Sequence, residues 1–175
     1  MTPIQDATLP AILKGKDVRT QAKTGSGKTA AFSIGLLDKI TVEQFVTQAL
    51  ILSPTRELAD QISKELRRLV HFTQNIKILT LCGGQSIGSQ LDSLVHAPHV
   101  VVGTPGRIQE HLRKHTLVLT NLKVLVLDEA DRMLDMGFND AIDNIIDYAS
   151  KPGQTLLFSA TYPDSIEQIS NRIQH

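Results

Sequence analysis

At 175 residues the chain is long enough to bury one substantial core and leaves little room for a second. Apolar residues make up 41% and charged residues 21%, the balance of an ordinary soluble globular protein, and no apolar run approaches the about 20 residues needed to span a bilayer. Lysine plus arginine equal aspartate plus glutamate at 18 each, so no overall basic excess advertises nucleic acid, and any such binding must come from local placement. The start, Met1-Thr2-Pro3-Ile4-Gln5, has neither the basic residues nor the apolar stretch of a secretion signal. The single cysteine, Cys82, can form neither an internal disulfide nor a zinc site; a reducing cytoplasmic setting is expected, with Cys82 in the core.

In chain order, β-branched apolar runs alternate with helical patterns, the sign of βαβ units and a parallel sheet covered on both faces. A first strand is expected over 17–22, followed by a glycine loop, Ala22-Lys23-Thr24-Gly25-Ser26-Gly27-Lys28-Thr29, at the start of a helix. A second strand, 48–53, ends on Pro54-Thr55-Arg56. The helix after it, 57–72, places Leu58, Ile62, Leu66, Leu69 and Val70 on one face and Asp60, Lys64, Glu65, Arg67 and Arg68 elsewhere, as a helix lying on a sheet does. The third strand, 77–82, ends on Gly83-Gly84; the fourth, 99–103, on Thr104-Pro105-Gly106-Arg107; the fifth, 123–127, on Asp128-Glu129-Ala130-Asp131. A helix over 140–149, a sixth strand over 155–158 ending on Ser159-Ala160-Thr161, and a helix over 164–173 complete the pattern, without internal repeats or low-complexity linkers. Six motifs at six strand ends put the chemistry along one edge, where open α/β sheets bind ligands.

The glycine loop and the acidic segment together point to a nucleoside triphosphatase. Gly25 and Gly27 let the backbone curl so that successive N–H groups face phosphate oxygens, with Thr24 and Ser26 in the same cradle; Lys28 adds charge and Thr29 a hydroxyl for Mg²⁺. Ala22 stands where the strict pattern has its first glycine. A plain strand-to-helix turn would explain the glycines but not Lys28-Thr29 at the helix start. At its strand end Asp128 is placed to hold hydrated Mg²⁺, and Glu129 to orient and deprotonate the attacking water. Thr55 can cap a helix while Arg56 and first-turn N–H groups face a phosphate, and Thr104 to Arg107 carries the same double reading. Gly83-Gly84 can be a turn or a place where a nucleic-acid backbone approaches closely. The histidines lack metal-ligand spacing, and His71, His96, His99 and His111 read as surface or satisfied structural residues.

With these motifs in this order the whole chain resembles the first RecA-like domain of the DEAD-box ATP-dependent RNA helicases. The wording around Thr80 to Gln85 and Asp131 to Phe138 is similar to the bacterial DbpA subgroup. The resemblance implies a RecA-like P-loop NTPase domain over 1–175, with a mostly parallel central sheet and helices on both faces. It implies that the strand ending at Ser159 lies between those ending at the glycine loop and at Asp128. It gives Gln5 the adenine edge, Lys28 and the loop amides the β- and γ-phosphates of ATP, and Thr29 and Asp128 the Mg²⁺. Glu129 is given the water, and Pro54, Thr55, Arg56, Gly84, Thr104 and Arg107 the RNA backbone. Asp131, Ser159 and Thr161 would couple the ATP state to domain closure. The family's stacking aromatic upstream of Gln5, its second RecA-like domain with arginine fingers, and the subgroup's C-terminal RNA-binding domain are expected outside this chain. A cytoplasmic monomer acting on ribosomal RNA or its large-subunit precursor, and nearly inactive as this fragment alone, is the resulting expectation. Two other classes compete: a nucleotide- and RNA-binding module that hydrolyses nothing, and a small P-loop nucleotide kinase, which would need an arginine-rich lid that the sequence lacks.

Overall fold

The computed structural model describes residues 1–23, 25–71, 75–149 and 151–174; Thr24 of the glycine loop and Phe72, the expected end of the second-strand helix, lie outside the described residues. In chain order the elements are α1 (Pro3–Leu13), β1 (Val18–Gln21), α2 (Lys28–Asp38), β2 (Ala49–Leu52), α3 (Arg56–Leu69), β3 (Ile78–Leu81) and α4 (Ile87–Leu94). Then come β4 (Val100–Gly103), α5 (Pro105–Arg113), β5 (Val124–Leu127), α6 (Ala130–Asp135), α7 (Asn139–Tyr148), β6 (Gln154–Ser159) and α8 (Asp164–Ile173). All six expected strands are present.

The strands pair in parallel in the order β1-β6-β5-β2-β4-β3, which places β6 between β1 and β5 as expected. They are apolar on both sides because both faces are covered. Leu50, Leu52, Val101, Leu125, Leu127 and Leu157 point into a core shared with α5, α7 and α8, while Ala49, Ile51, Val102, Val126, Leu156 and Phe158 point into a second core under α1, α2 and α3. Right-handed crossovers dictate this division. The chain first moves across the sheet from β1 to β2 to β3, which puts α2 and α3 on one face, then returns through β4, β5 and β6, which puts the later helices on the other. Cys82 is fully buried in the second core, and burial pushes its thiol up to about 11, so it packs as a small apolar group.

Three helices begin on a side-chain cap. Thr2 caps α1 with Pro3 in the first turn, Thr55 caps α3 by accepting from the Leu58 amide at 3.2 Å, and Ser86 caps α4. On α3 the buried stripe is Ala59, Ile62, Ser63 and Leu66; Leu58, Leu69 and Val70 flank it half-buried, so the expected face is rotated slightly. The Ser63 hydroxyl is 2.6 Å from that of Thr80, which lets a polar group lie on the sheet. Pro10 inside α1 argues against a helix from sequence, yet α1 forms because it packs closely on α2. At the crossing, a Cβ on Gly35 would come within 1.9 Å of Ile12, so the two backbones can approach only with glycine there.

Candidate nucleotide and nucleic-acid site

Parallel sheets open a crevice wherever the helices following two neighbouring strands leave to opposite faces. Here β1 and β6 form one such pair, and β2 with β5 and β4 forms two more. The first pair lies between the glycine loop and the acidic segment; the others lie among the remaining motifs.

At the first crevice Gly25 and Gly27 have φ of 81° and 86°, the left-handed conformations a phosphate-cradling turn requires. Gly27 is also the N-cap of α2, which leaves the helix's leading N–H groups without a side-chain cap. Lys28, the first residue of α2, is buried and its Nζ lies 2.9 Å from Oδ1 of Asp128, reaching past the intervening β6. Asp128 is wholly buried, and neither carboxylate oxygen has a hydrogen-bond partner among the described residues; its tie to Lys28 is a close ion pair. Burial pushes the Asp128 carboxyl above its ordinary range and the Lys28 ammonium pulls it part of the way back. A buried, under-partnered carboxylate is costly unless a ligand completes it. The carboxylate face not taken by Lys28 suits a divalent cation. No cluster of three or more His, Cys, Asp or Glu exists among the described residues, and an ion held by Asp128 and the Thr29 hydroxyl, with water and phosphate completing its shell, matches how Mg²⁺ is bound. The Ser26 hydroxyl is likewise buried without a partner among the described residues.

Glu129 starts α6 with φ 52° and ψ 52°, a left-handed conformation that side chains rarely adopt and that functional sites retain. Its side chain is largely covered, with Arg132 3.8 Å away. Asp131, one turn into the same segment, accepts from the Thr161 hydroxyl at 3.0 Å and the Thr161 amide at 3.2 Å. Ser159 accepts from the Asp131 amide and donates to the Thr161 carbonyl at 2.6 Å. The three expected coupling residues are therefore one hydrogen-bonded unit. Burial alone would raise the Asp131 carboxyl, but the hydrogen bonds led by Thr161 and Ser159 outweigh it and hold its pKa below the ordinary value.

Gln5 serves two structural partners. Its Oε1 accepts from the Thr2 amide at 3.1 Å, completing a capping box, and its Nε2 donates to the Gly27 carbonyl at 3.1 Å. A Cβ on Gly27 would lie 2.6 Å from Thr2 and 2.8 Å from Gln5, so α1 rests directly on the glycine loop. Each end of the amide keeps capacity for one more bond.

Along the other crevices Pro54 is buried and Thr55 spends a lone pair on its cap, while Arg56 is half-exposed beside Asp60. Gly84 lies next to Arg56: a Cβ there would be 4.0 Å from its Nη1. The Thr104 hydroxyl accepts from the Gly83 amide at 3.3 Å, joining the third and fourth strand ends. Arg107, expected at an RNA phosphate, has its own partners within the domain. Its guanidinium turns inward, donating to the Gln85 carbonyl at 3.0 Å and to Gln90 Oε1 at 3.1 Å with Glu110 on its flank, because these buried acceptors need a donor. Gln85, Gln90 and the fully buried His111 had no signal as a group; polar residues on a helix's inner face disappear from a hydrophobic pattern.

Residues 2–169 match the DEAD/DEAH box helicase family. The chain belongs to that family. It is 66% identical over 174 residues to "ATP-dependent RNA helicase DbpA" of Escherichia coli K12, and 49% identical over 174 residues to "ATP-dependent RNA helicase CshA" of Listeria monocytogenes. Those alignments cover 99% of this chain but 38% and 33% of the relatives, so the chain spans little more than a third of their length. Among solved DEAD-box relatives, a DEAD box protein from Methanococcus jannaschii superposes with a TM-score of 0.93 at 40% identity, over 99% of this chain and 47% of that one. A hypothetical ATP-dependent RNA helicase from Sulfolobus tokodaii gives 0.89 at 35% identity, over 98% of this chain and 50% of that one. The acidic run Asp128-Glu129-Ala130-Asp131 is the one that gives DEAD-box proteins their name. No helix among the described residues is long and apolar enough to cross a membrane.

Proposed function

We propose that this chain is the first RecA-like, ATP-binding domain of an ATP-dependent RNA helicase, completed by a second RecA-like domain elsewhere in the polypeptide. The observation that carries the reading is the 2.9 Å pair of Lys28 and Asp128, which joins the glycine loop to the acids. Lys28 moves from the carboxylate toward the β- and γ-phosphates when nucleotide enters, and the loop amides with Ser26 take the remaining oxygens. Thr29 and Asp128 would hold Mg²⁺, which when bound would offset phosphate charge. Glu129, held rigidly by its strained backbone, orients the attacking water and takes its proton. The spare capacity of the Gln5 amide reads the adenine edge. Asp131, Ser159 and Thr161 link the acidic segment to the β6 turn, so that a change at the phosphates reaches the surface facing the second domain.

On the other side, Arg56, Gly84 and the amides near Thr55 and Thr104 hold one RNA strand by its backbone, with Arg107 organising the loop. The subgroup resemblance carried by Thr80 to Gln85 and Asp131 to Phe138 leads us to ribosomal RNA as the target, met through segments outside this chain, and to a cytoplasmic monomer as the working form. Since arginine fingers are worth about 10³ to 10⁵ in rate, this domain alone is expected to turn over little ATP and to bind RNA weakly. The test is phosphate release with and without RNA, on this chain and on the complete polypeptide. RNA-stimulated turnover by the complete protein alone supports the reading; equal turnover by this chain defeats the division of labour. Gln5→Ala should weaken ATP and ADP while sparing GTP, and equal losses would remove the adenine role.

A further inference from the structure

His111 lies on α5 between Ile108 and Leu112 and is wholly buried, so both ring nitrogens need partners. Nδ1 is 2.9 Å from the Thr116 hydroxyl and Nε2 is 2.7 Å from Gln90 Oε1. Gln90, itself buried on α4, donates through Nε2 to the Cys82 carbonyl at 3.1 Å and to Gln85 Oε1 at 3.2 Å. Its Oε1 is therefore the acceptor and the imidazole proton faces it from Nε2, so the Thr116 hydroxyl gives its hydrogen to Nδ1 in competition with the His111 carbonyl 3.1 Å away. Arg107 donates to that same Oε1 and to the Gln85 carbonyl. The charged groups around the ring are Arg107, Glu110 and Lys114; burial first, then Arg107, holds the imidazole below its ordinary pKa, which keeps it neutral.

We infer that His111 is a positioning residue for the nucleic-acid face. Through Gln90 it fixes the 83–85 loop and the inward Arg107, so that Gly84 and Arg56 stand open to an RNA phosphate. The inference rests on the RNA-backbone reading above. An ordinary core histidine would only fill volume, whereas this one adds a second N–H donor to the Gln90 oxygen that Arg107 also uses, and so bears on where the Gln90 side chain sits. Without the Nε2–H donor the Gln90 oxygen keeps only Arg107, and the Gln90 side chain that ties the Cys82 carbonyl, Gln85 and Arg107 together is held less firmly, loosening the 83–85 loop.

The test uses the complete polypeptide that carries this chain, with H111L, H111Q and R56A. H111L is expected to raise the RNA concentration for half-maximal ATP turnover about threefold to tenfold, the loss of one buried hydrogen bond. Maximal turnover and ATP affinity should hold, while amide exchange at 83–85 accelerates. H111Q, which keeps an N–H within reach of Gln90, should restore most of the RNA affinity. R56A should weaken RNA binding without changing that exchange. If R56A weakens RNA while H111L leaves it unchanged, the role of His111 is refuted and the RNA-backbone reading survives; if R56A has no effect, both fall. Equal losses in H111L and H111Q would also refute it, as would losses confined to melting temperature. Should H111L fail to fold, Q90M carries the same expectation, and unchanged RNA half-saturation in Q90M would overturn it.

Discussion

The two halves of the strand-end edge are built on opposite electrostatic terms. Around β1, β6 and β5 Asp131, Ser159 and Thr161 are tied to one another, but the groups nearest the glycine loop are under-partnered among the described residues: Asp128 has Lys28 alone, the Ser26 hydroxyl has no partner, and Glu129 holds a left-handed backbone. Around β2, β4 and β3 most are already satisfied, with Thr55 capping, Thr104 accepting from Gly83 and Arg107 tied into Gln85 and Gln90; the Ser53 hydroxyl is the buried exception among the described residues, and Arg56 is exposed beside Asp60. The first arrangement stores free energy that a charged ligand releases on binding, so it suits tight and chemically demanding recognition. The second offers shape and a screened charge, so it suits weak contact with any backbone sequence.

The largest expected break is Glu129→Gln in the complete polypeptide. It keeps shape and removes the base, so RNA-stimulated turnover should fall by about 10² to 10⁴ with ATP still bound. Unchanged turnover would remove Glu129 from the chemistry.

Next is Lys28→Ala, which leaves the buried Asp128 without its ion pair. Removing one partner of such a pair costs about 3–5 kcal/mol. The carboxyl can escape by taking a proton, because burial already raises its pKa above the unfolded value. A raised acid contributes stability below its unfolded pKa and loses it as pH rises through the folded one. The variant's melting deficit should therefore be largest near neutrality and shrink as the solution is acidified, while its affinity for every nucleotide falls at pH 7. A pH-independent deficit would mean that the pair does not control the site.

Asp131 has the reverse sign. Its lowered pKa contributes stability above the ordinary carboxylate range that is lost as pH falls through the folded value. Thr161→Val removes the hydroxyl bond and should cost about 1 kcal/mol at neutral pH, with less of a gap at low pH. Denaturant melts at both pH values check this, and a constant gap would contradict the assignment.

The smallest effect belongs to the other half. Arg56→Ala should reduce RNA affinity similarly for all sequences and lower the salt dependence by about one unit of slope. A sequence-selective loss would show that this face reads bases.

The strands and the motif at each strand end were legible because a buried parallel strand must be apolar on both sides and the turn after it must be polar or glycine-rich. Residues 164–173 were read to the residue as α8 because Ile166, Ile169 and Ile173 recur at helical spacing. α1 was legible only as a nucleotide motif, since Pro10 speaks against a helix and the contact that overrides it, Gly35 against Ile12, joins segments far apart in sequence.

What the chain determined by itself was its pattern of local choices: apolar runs, caps, the glycine loop and the acids that follow β5. Only the tertiary structure decided which polar groups are satisfied and which are left waiting. Lys28 meets Asp128, Thr161 meets Asp131, and Arg107 turns in to Gln90 and Gln85 through parallel strand pairing and right-handed crossovers. Hydrogen-bond satisfaction depends on partners a hundred residues away as readily as on neighbours. Burial then sets the energetic weight of each contact, and neither quantity is carried by the residues one at a time.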